Sequence, residues 1–144
     1  MSPTVEVFER AVDVDRPCGK PPADTLAISA GVDVQRDRLY YVVRAWGVRR
    51  SSYRIAHGEL PYEGDMSILD DVLLCDYDGL PVDQTFVDSG DQTDAVYAYC
   101  FERGATIAPC KGLPGRQVAP VKVTRIVPDP KKRRKFTGEQ SLYL

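Results

Sequence analysis

"AGVDVQRDRLYYVVRAWG", residues 30–47, decides the fold. An apolar run reaches Asp33, breaks at the polar "QRD", and returns as the β-branched and aromatic "LYYVVRAWG". Two such segments joined by a short polar connection predict an antiparallel hairpin. Upstream, "TLAISAGVDV" (25–34) is nearly all apolar or small, the composition of a strand covered on both faces. Downstream, "SSYRIAHGEL" (51–60) adds a third strand and completes a meander. Asp33 lies near the end of the first strand, where an ionised carboxylate in an apolar setting is costly unless it is hydrogen-bonded, neutralised or metal-bound.

Beyond the meander, "GDMSILDDVLLCDYDG" (64–79) places Ile68, Leu69, Val72, Leu73 and Cys75 at helical spacing. Asp65 or Ser67 is available as its N-cap and Gly79 as its stop. "PVDQTFVDSG" (81–90) contains a short strand, "TFV", that ends at Asp88. "DQTDAVYAYCFERG" (91–104) reads as a second helix with Val96, Tyr99, Cys100 and Arg103 on one side. "ATIAPCKG" (105–112) is a further strand, and "PVKVTRIVPDP" (120–130) and "TGEQSLYL" (137–144) are two more, flanking the basic run "KKRRK" (131–135). The order β-β-β-α-β-α-β predicts an α/β fold: an antiparallel meander followed by parallel crossover units, giving a mixed sheet with helices on its faces. That is the ribonuclease-H-like arrangement. "RPCGKPPAD" (16–24) punctuates strongly, so residues 1–24 read as a linker and 25–144 as one domain.

Composition narrows the function. The 19 Lys and Arg stand against 21 Asp and Glu, and five of those cations are Lys131, Lys132, Arg133, Arg134 and Lys135, so a nucleic-acid-binding surface must be local. The four cysteines, Cys18, Cys75, Cys100 and Cys110, match no zinc-ligand spacing, and His57 alone cannot complete a Cys/His cluster. Reduced, mostly buried thiols are expected. The polar, acidic N-terminus lacks the features of a signal peptide, and no apolar run approaches the ~18 residues of a membrane span. Trp46 and the tyrosines at 40, 41, 97 and 99 are expected in the core, and His57 is expected to be structural.

Asp33 and Asp88 end two strands that should lie side by side, so their carboxylates should converge. Such oxygen-rich sites suit Mg²⁺ or Mn²⁺, and two ions about 3.5–4 Å apart activate a water and stabilise the leaving oxygen of a phosphodiester. A plainer reading stands beside this one: Asp33 opens a turn, and Asp88-Ser89-Gly90 is a strand-to-helix turn.

"GVDVQRDRLYYVVRAWG", "VDSGDQTDAVYAYCFERG" and "APCKG", in that order, resemble the nuclease domain of the large terminase subunit of lambda-type tailed phages. The resemblance covers residues 25–112 and, more weakly, the strand "SLYL". It implies a metal-dependent endonuclease that cuts concatemeric double-stranded DNA during packaging in the host bacterial cytoplasm, with the small terminase subunit and the portal or procapsid as partners and no membrane. Asp33 of "GVDVQ" and Asp88 of "VDSG" become the catalytic acids and metal ligands. Asp91 departs from the family pattern and is either a supplementary ligand or a solvated charge at a helix start; Asp94 shares that second reading. Lys111 of "CKG" and the run 131–135 become contacts to DNA phosphates, against the plain alternative of surface cations. No phosphate loop of an ATPase motor is present, so residues 1–24 would be the tail of the connection from one. The family takes a further acid from a helix after the last strand, whereas this sequence ends at "SLYL"; that points to a truncated or prophage fragment with weak cutting, or to Asp91, Asp94 or Glu139 standing in. The alternatives are a non-catalytic DNA-clamping or assembly module of the same fold, and another ribonuclease-H-like enzyme such as a junction resolvase.

Overall fold

A computed structural model describes residues 17–115, 119 and 121–126 and the backbone of 140–143. The meander forms as expected: β1 (Ala27–Val34) pairs antiparallel with β2 (Arg38–Trp46), which pairs antiparallel with β3 (Ser52–Pro61). A 3₁₀ turn (Ser67–Leu69) and a single helical turn, α1 (Asp70–Leu73), follow, then a two-stranded hairpin of β4 (Asp76–Tyr77) and β5 (Leu80–Pro81). Next come β6 (Gln84–Asp88), α2 (Thr93–Arg103), β7 (Ile107–Cys110), β8 (Val123–Ile126) and β9 (Gln140–Tyr143). The main sheet is mixed, ordered β3-β2-β1-β6-β7-β9-β8, and the five strands from the β3 edge to β7 carry the main core.

Three expectations are corrected. The helix expected over 64–79 is only one turn long. Asp65 accepts the Ser67 N–H at 2.8 Å just ahead of the 3₁₀ turn, but neither Asp65 nor Ser67 is the N-cap, since Met66 and Leu69 hold those positions without a side-chain cap, and Gly79 does not end the helix. Asp78 and Gly79, both at positive φ (54° and 83°), instead make the two-residue turn between β4 and β5. Asp-Gly between short strands is the preferred composition of that turn. Second, β1 is not covered on both faces. Ile28, Ala30, Val32 and Val34 are buried, whereas Asp33 on the alternate face is exposed, so Asp33 is not an acid in an apolar interior. Third, Tyr97 and Tyr99 are core residues and Tyr41 packs against the core, but Tyr40 and Trp46 are exposed on the same face as Asp33. His57 is exposed on β3, opposite Val42.

The core lies on the other face. Leu69 and Leu73 of the α1 segment and Val96, Tyr99 and Cys100 of α2 meet Ile28, Val32, Leu39, Val43, Val87 and Ile107 of the sheet. Each large aliphatic side chain hidden there contributes about 1.5–3 kcal/mol. Asp70 fastens α2 in place: its carboxylate accepts from Arg103 Nε (2.6 Å) and Nη2 (2.7 Å) and from the Tyr99 hydroxyl (2.9 Å). This leaves the opposite face, with Ser29, Gly31, Asp33, Tyr40, Val42, Arg44 and Trp46, free of described helices.

Candidate functional site

One residue sets the register between β1 and β6. Asp83 donates its N–H to the Ile28 carbonyl (2.8 Å) and accepts the Ile28 N–H on its side chain (2.7 Å), clipping the start of β6 to the start of β1. The parallel pairing then runs from Ser29↔Gln84 to Val32↔Val87. The next residues along the two strands are Asp33 and Asp88. Val32 and Val87 both point into the core, so alternation turns both acids to the open face, side by side at the C-terminal ends of parallel strands. Asp33 is exposed and Asp88 half-buried.

Each carboxylate is held by one local contact. Asp33 Oδ2 accepts from Gln35 Nε2 at 2.8 Å, and Asp88 Oδ1 accepts from the Gly90 N–H at 3.0 Å. The turn reading of Asp88-Ser89-Gly90 is therefore realised, and it leaves the second oxygen of each acid without a partner among the described residues. The turn itself is pinned by hydrogen bonds. Ser89 is fully buried, and both its N–H (2.8 Å) and its hydroxyl (2.9 Å) donate to the Cys110 carbonyl of β7. Thr93 Oγ1 closes the start of α2 by donating to the Ser89 carbonyl at 2.8 Å.

Beside Asp33 lies a shallow depression of about 330 Å³, lined by Gly31, Tyr40 and Val42 among others. Cys110 is the register partner of Asp88. Burial, and secondarily the Asp88 charge, push its thiol upward, so it stays a neutral neighbour at ordinary pH. Lys111 directly follows β7 at this same strand-end edge and is half-buried. Asp91 and Asp94 are both exposed, in the loop before α2 and in its first turn. The basic run Lys131–Lys135 and Glu139 lie outside the described residues.

Two carboxylates with free oxygens on rigid neighbouring strands suit a hard divalent cation. The fit is partial, because among the described residues no group of three His, Cys, Asp or Glu side chains is placed to hold a metal. The feature missed from sequence is the pairing of Arg44 with Arg54 on β2 and β3; it depends on a register shift that no local pattern announces.

Among the described residues no helix is long and apolar enough to cross a membrane. A family model described as the terminase large subunit gpA, endonuclease domain, matches residues 4–144. No curated protein and no solved structure matches.

Proposed function

The chain belongs to the family of terminase large subunit gpA endonuclease domains, and from that premise we propose that it is a ribonuclease-H-like, metal-dependent nuclease that cuts concatemeric double-stranded DNA during phage genome packaging. The observation that carries the site assignment is the parallel register of β1 and β6, which sets Asp33 beside Asp88 on the open face. Asp33 and Asp88 would hold Mg²⁺ or Mn²⁺, which when bound would supply activation of a water and neutralisation of charge on the leaving phosphodiester oxygen.

The chain's own residues position the reaction. Gln35 and the Gly90 N–H fix one oxygen of each acid and leave the other for the cation. Ser89 and Thr93 hold the Asp88 turn against β7. Lys111, at the same edge, contacts a phosphate next to the scissile one. Two ions need more oxygen donors than two carboxylates supply; Asp91, in the loop that follows Asp88, is the described acid in line for that role. The run at 131–135 contributes further phosphate contacts, and residues 1–24 link this domain, 25–144, to an upstream region. The small terminase subunit and the procapsid portal are the partners this role calls for.

The test is cleavage of linear duplex by the full-length subunit in Mg²⁺ or Mn²⁺. Asp33→Asn and Asp88→Asn should each abolish cutting while leaving the circular-dichroism spectrum unchanged. Wild-type cutting by both variants overturns the assignment.

A further inference from the structure

β2 and β3 do not pair in simple register. Between Val43 and Arg44 the register shifts, so that Val43 opposes Ala56 but Arg44 opposes Arg54, with Ile55 bulged between them. The bulge has two effects. It keeps Ile55 in the core at 3% exposure, and it turns Arg54 to the open face directly across from Arg44. Like charges facing each other across an antiparallel pair destabilise the sheet, and a bound anion would offset that repulsion.

Among the described residues no acidic side chain supplies one. Arg44 hydrogen-bonds the neutral Ser52 hydroxyl (2.8 Å) and lies 5.9 Å from the Trp46 ring. Trp46 is itself pinned by its indole N–H donating to Ser29 Oγ at 2.7 Å. Among the described residues, Arg44, Arg49, Arg50 and Arg54 make no ion pair, in contrast to Arg38 and Arg103. Arg49 and Arg50 sit in the β2–β3 connection, both exposed and both in the left-handed region (φ 57° and 62°), which costs a non-glycine residue free energy. Arg44 and Arg54 thus lie on the face whose other end carries Asp33 and Asp88, and Arg49 and Arg50 lie in the connection at the arginine end of the strands.

We propose that Arg44 and Arg54, with Arg49 and Arg50 beside them, form a phosphate-contacting patch that holds the backbone of duplex DNA across the open face of the sheet. The inference rests on the nuclease reading and adds to it the path of the substrate. Arg44 is the register partner of Ser29, four residues before Asp33. At ~3.3 Å per residue, the patch is about 13 Å along the strands from the acids. That is roughly four base pairs of duplex at ~3.4 Å each. The patch holds backbone and does not read bases, so its contribution is independent of sequence.

The test is equilibrium binding of a fluorescently labelled linear duplex to the full chain in EDTA, followed by anisotropy across a salt series, so that cutting plays no part. Loss of two phosphate contacts in Arg44→Gln/Arg54→Gln should flatten the log-log salt slope by about 1.8, equivalent to about a 12-fold smaller loss of affinity between 50 and 200 mM salt. Arg54→Gln alone, at an exposed and unpaired position, should give half that change in slope, and Arg54→Lys should restore it. A double variant with wild-type affinity and slope, or a wild-type chain with no salt-dependent duplex binding, overturns the proposal. The two readings fail separately: Asp33→Asn should keep salt-dependent duplex binding in EDTA, no weaker than wild type, yet not cut. If instead the wild-type subunit does not cut but the arginine variants still bind more weakly, the patch stands and the nuclease assignment falls.

Discussion

Replacing Asp70 by Asn tests the fastening that holds α2, and with it the Asp88 turn, against the sheet. The substitution keeps the shape and removes the charge from a bidentate pair with Arg103 (2.6 and 2.7 Å), whose side chain is 15% exposed and lies 3.9 Å over the Tyr99 ring. Removing one partner of a buried ion pair costs about 3–5 kcal/mol, because the other charge is left behind. Asp70 is 32% exposed, so water screens part of that cost, and about 1.5–3 kcal/mol is expected. For a chain of this size the melting temperature should fall by about 5–10 °C. The penalty should depend on pH with a defined sign. The Arg103 hydrogen bonds hold the Asp70 carboxyl below its usual range. Its contribution is therefore present above the unfolded value of about 3.9 and is lost as pH falls through the lower folded value. Urea unfolding of wild type and Asp70→Asn, followed by the fluorescence of Trp46, the single tryptophan, and by circular dichroism, should show a constant gap from pH 7 to about 5 that narrows below about pH 4. A gap under about 0.5 kcal/mol at pH 7, or one undiminished at pH 3, refutes this reasoning.

Two further outcomes follow from burial. Thr85 Oγ1 is buried on β6 with no hydrogen-bond partner among the described residues, so the near-isosteric Thr85→Val should raise stability by about 1 kcal/mol in the same urea assay; a loss of stability there would reveal a partner for that hydroxyl. The thiols should react in order of access. Cys18 is exposed, whereas Cys100 is fully buried and its thiol is pushed up to about 12, mainly by that burial. A disulfide reagent at pH 8 should therefore modify Cys18 in the native state and Cys100 only after unfolding, as read by peptide mass.

The elements that the sequence made legible are those whose local and tertiary preferences agree. Apolar runs and β-branched, aromatic composition marked β1 to β3, although not which face of β1 is open, and the acid-glycine end of "TFVDSG" marked the close of β6. The i, i+3, i+4 spacing of Val96, Tyr99, Cys100 and Arg103 marked the buried side of α2. The helix over 64–79 was overread because Asp78-Gly79, a hairpin turn, resembles a helix stop. Tyr40 and Trp46 were misplaced for a different reason: large apolar residues on a strand do not say which face will be covered. In the site, the pairing of Asp33 with Asp88 was readable because each ends a strand in a predictable topology. The arginine pair was not, because a bulge changes register without a local signature.

Titration of the chain with Mn²⁺ by calorimetry, repeated on Asp33→Asn and Asp88→Asn, tests the central claim most directly, since it asks for the site without asking for cutting. Saturable binding in the wild type that is lost in both variants is the predicted result. Wild-type binding retained in either variant contradicts the claim that these two strand-end acids form the metal site, and no saturable binding in the wild type contradicts it as well.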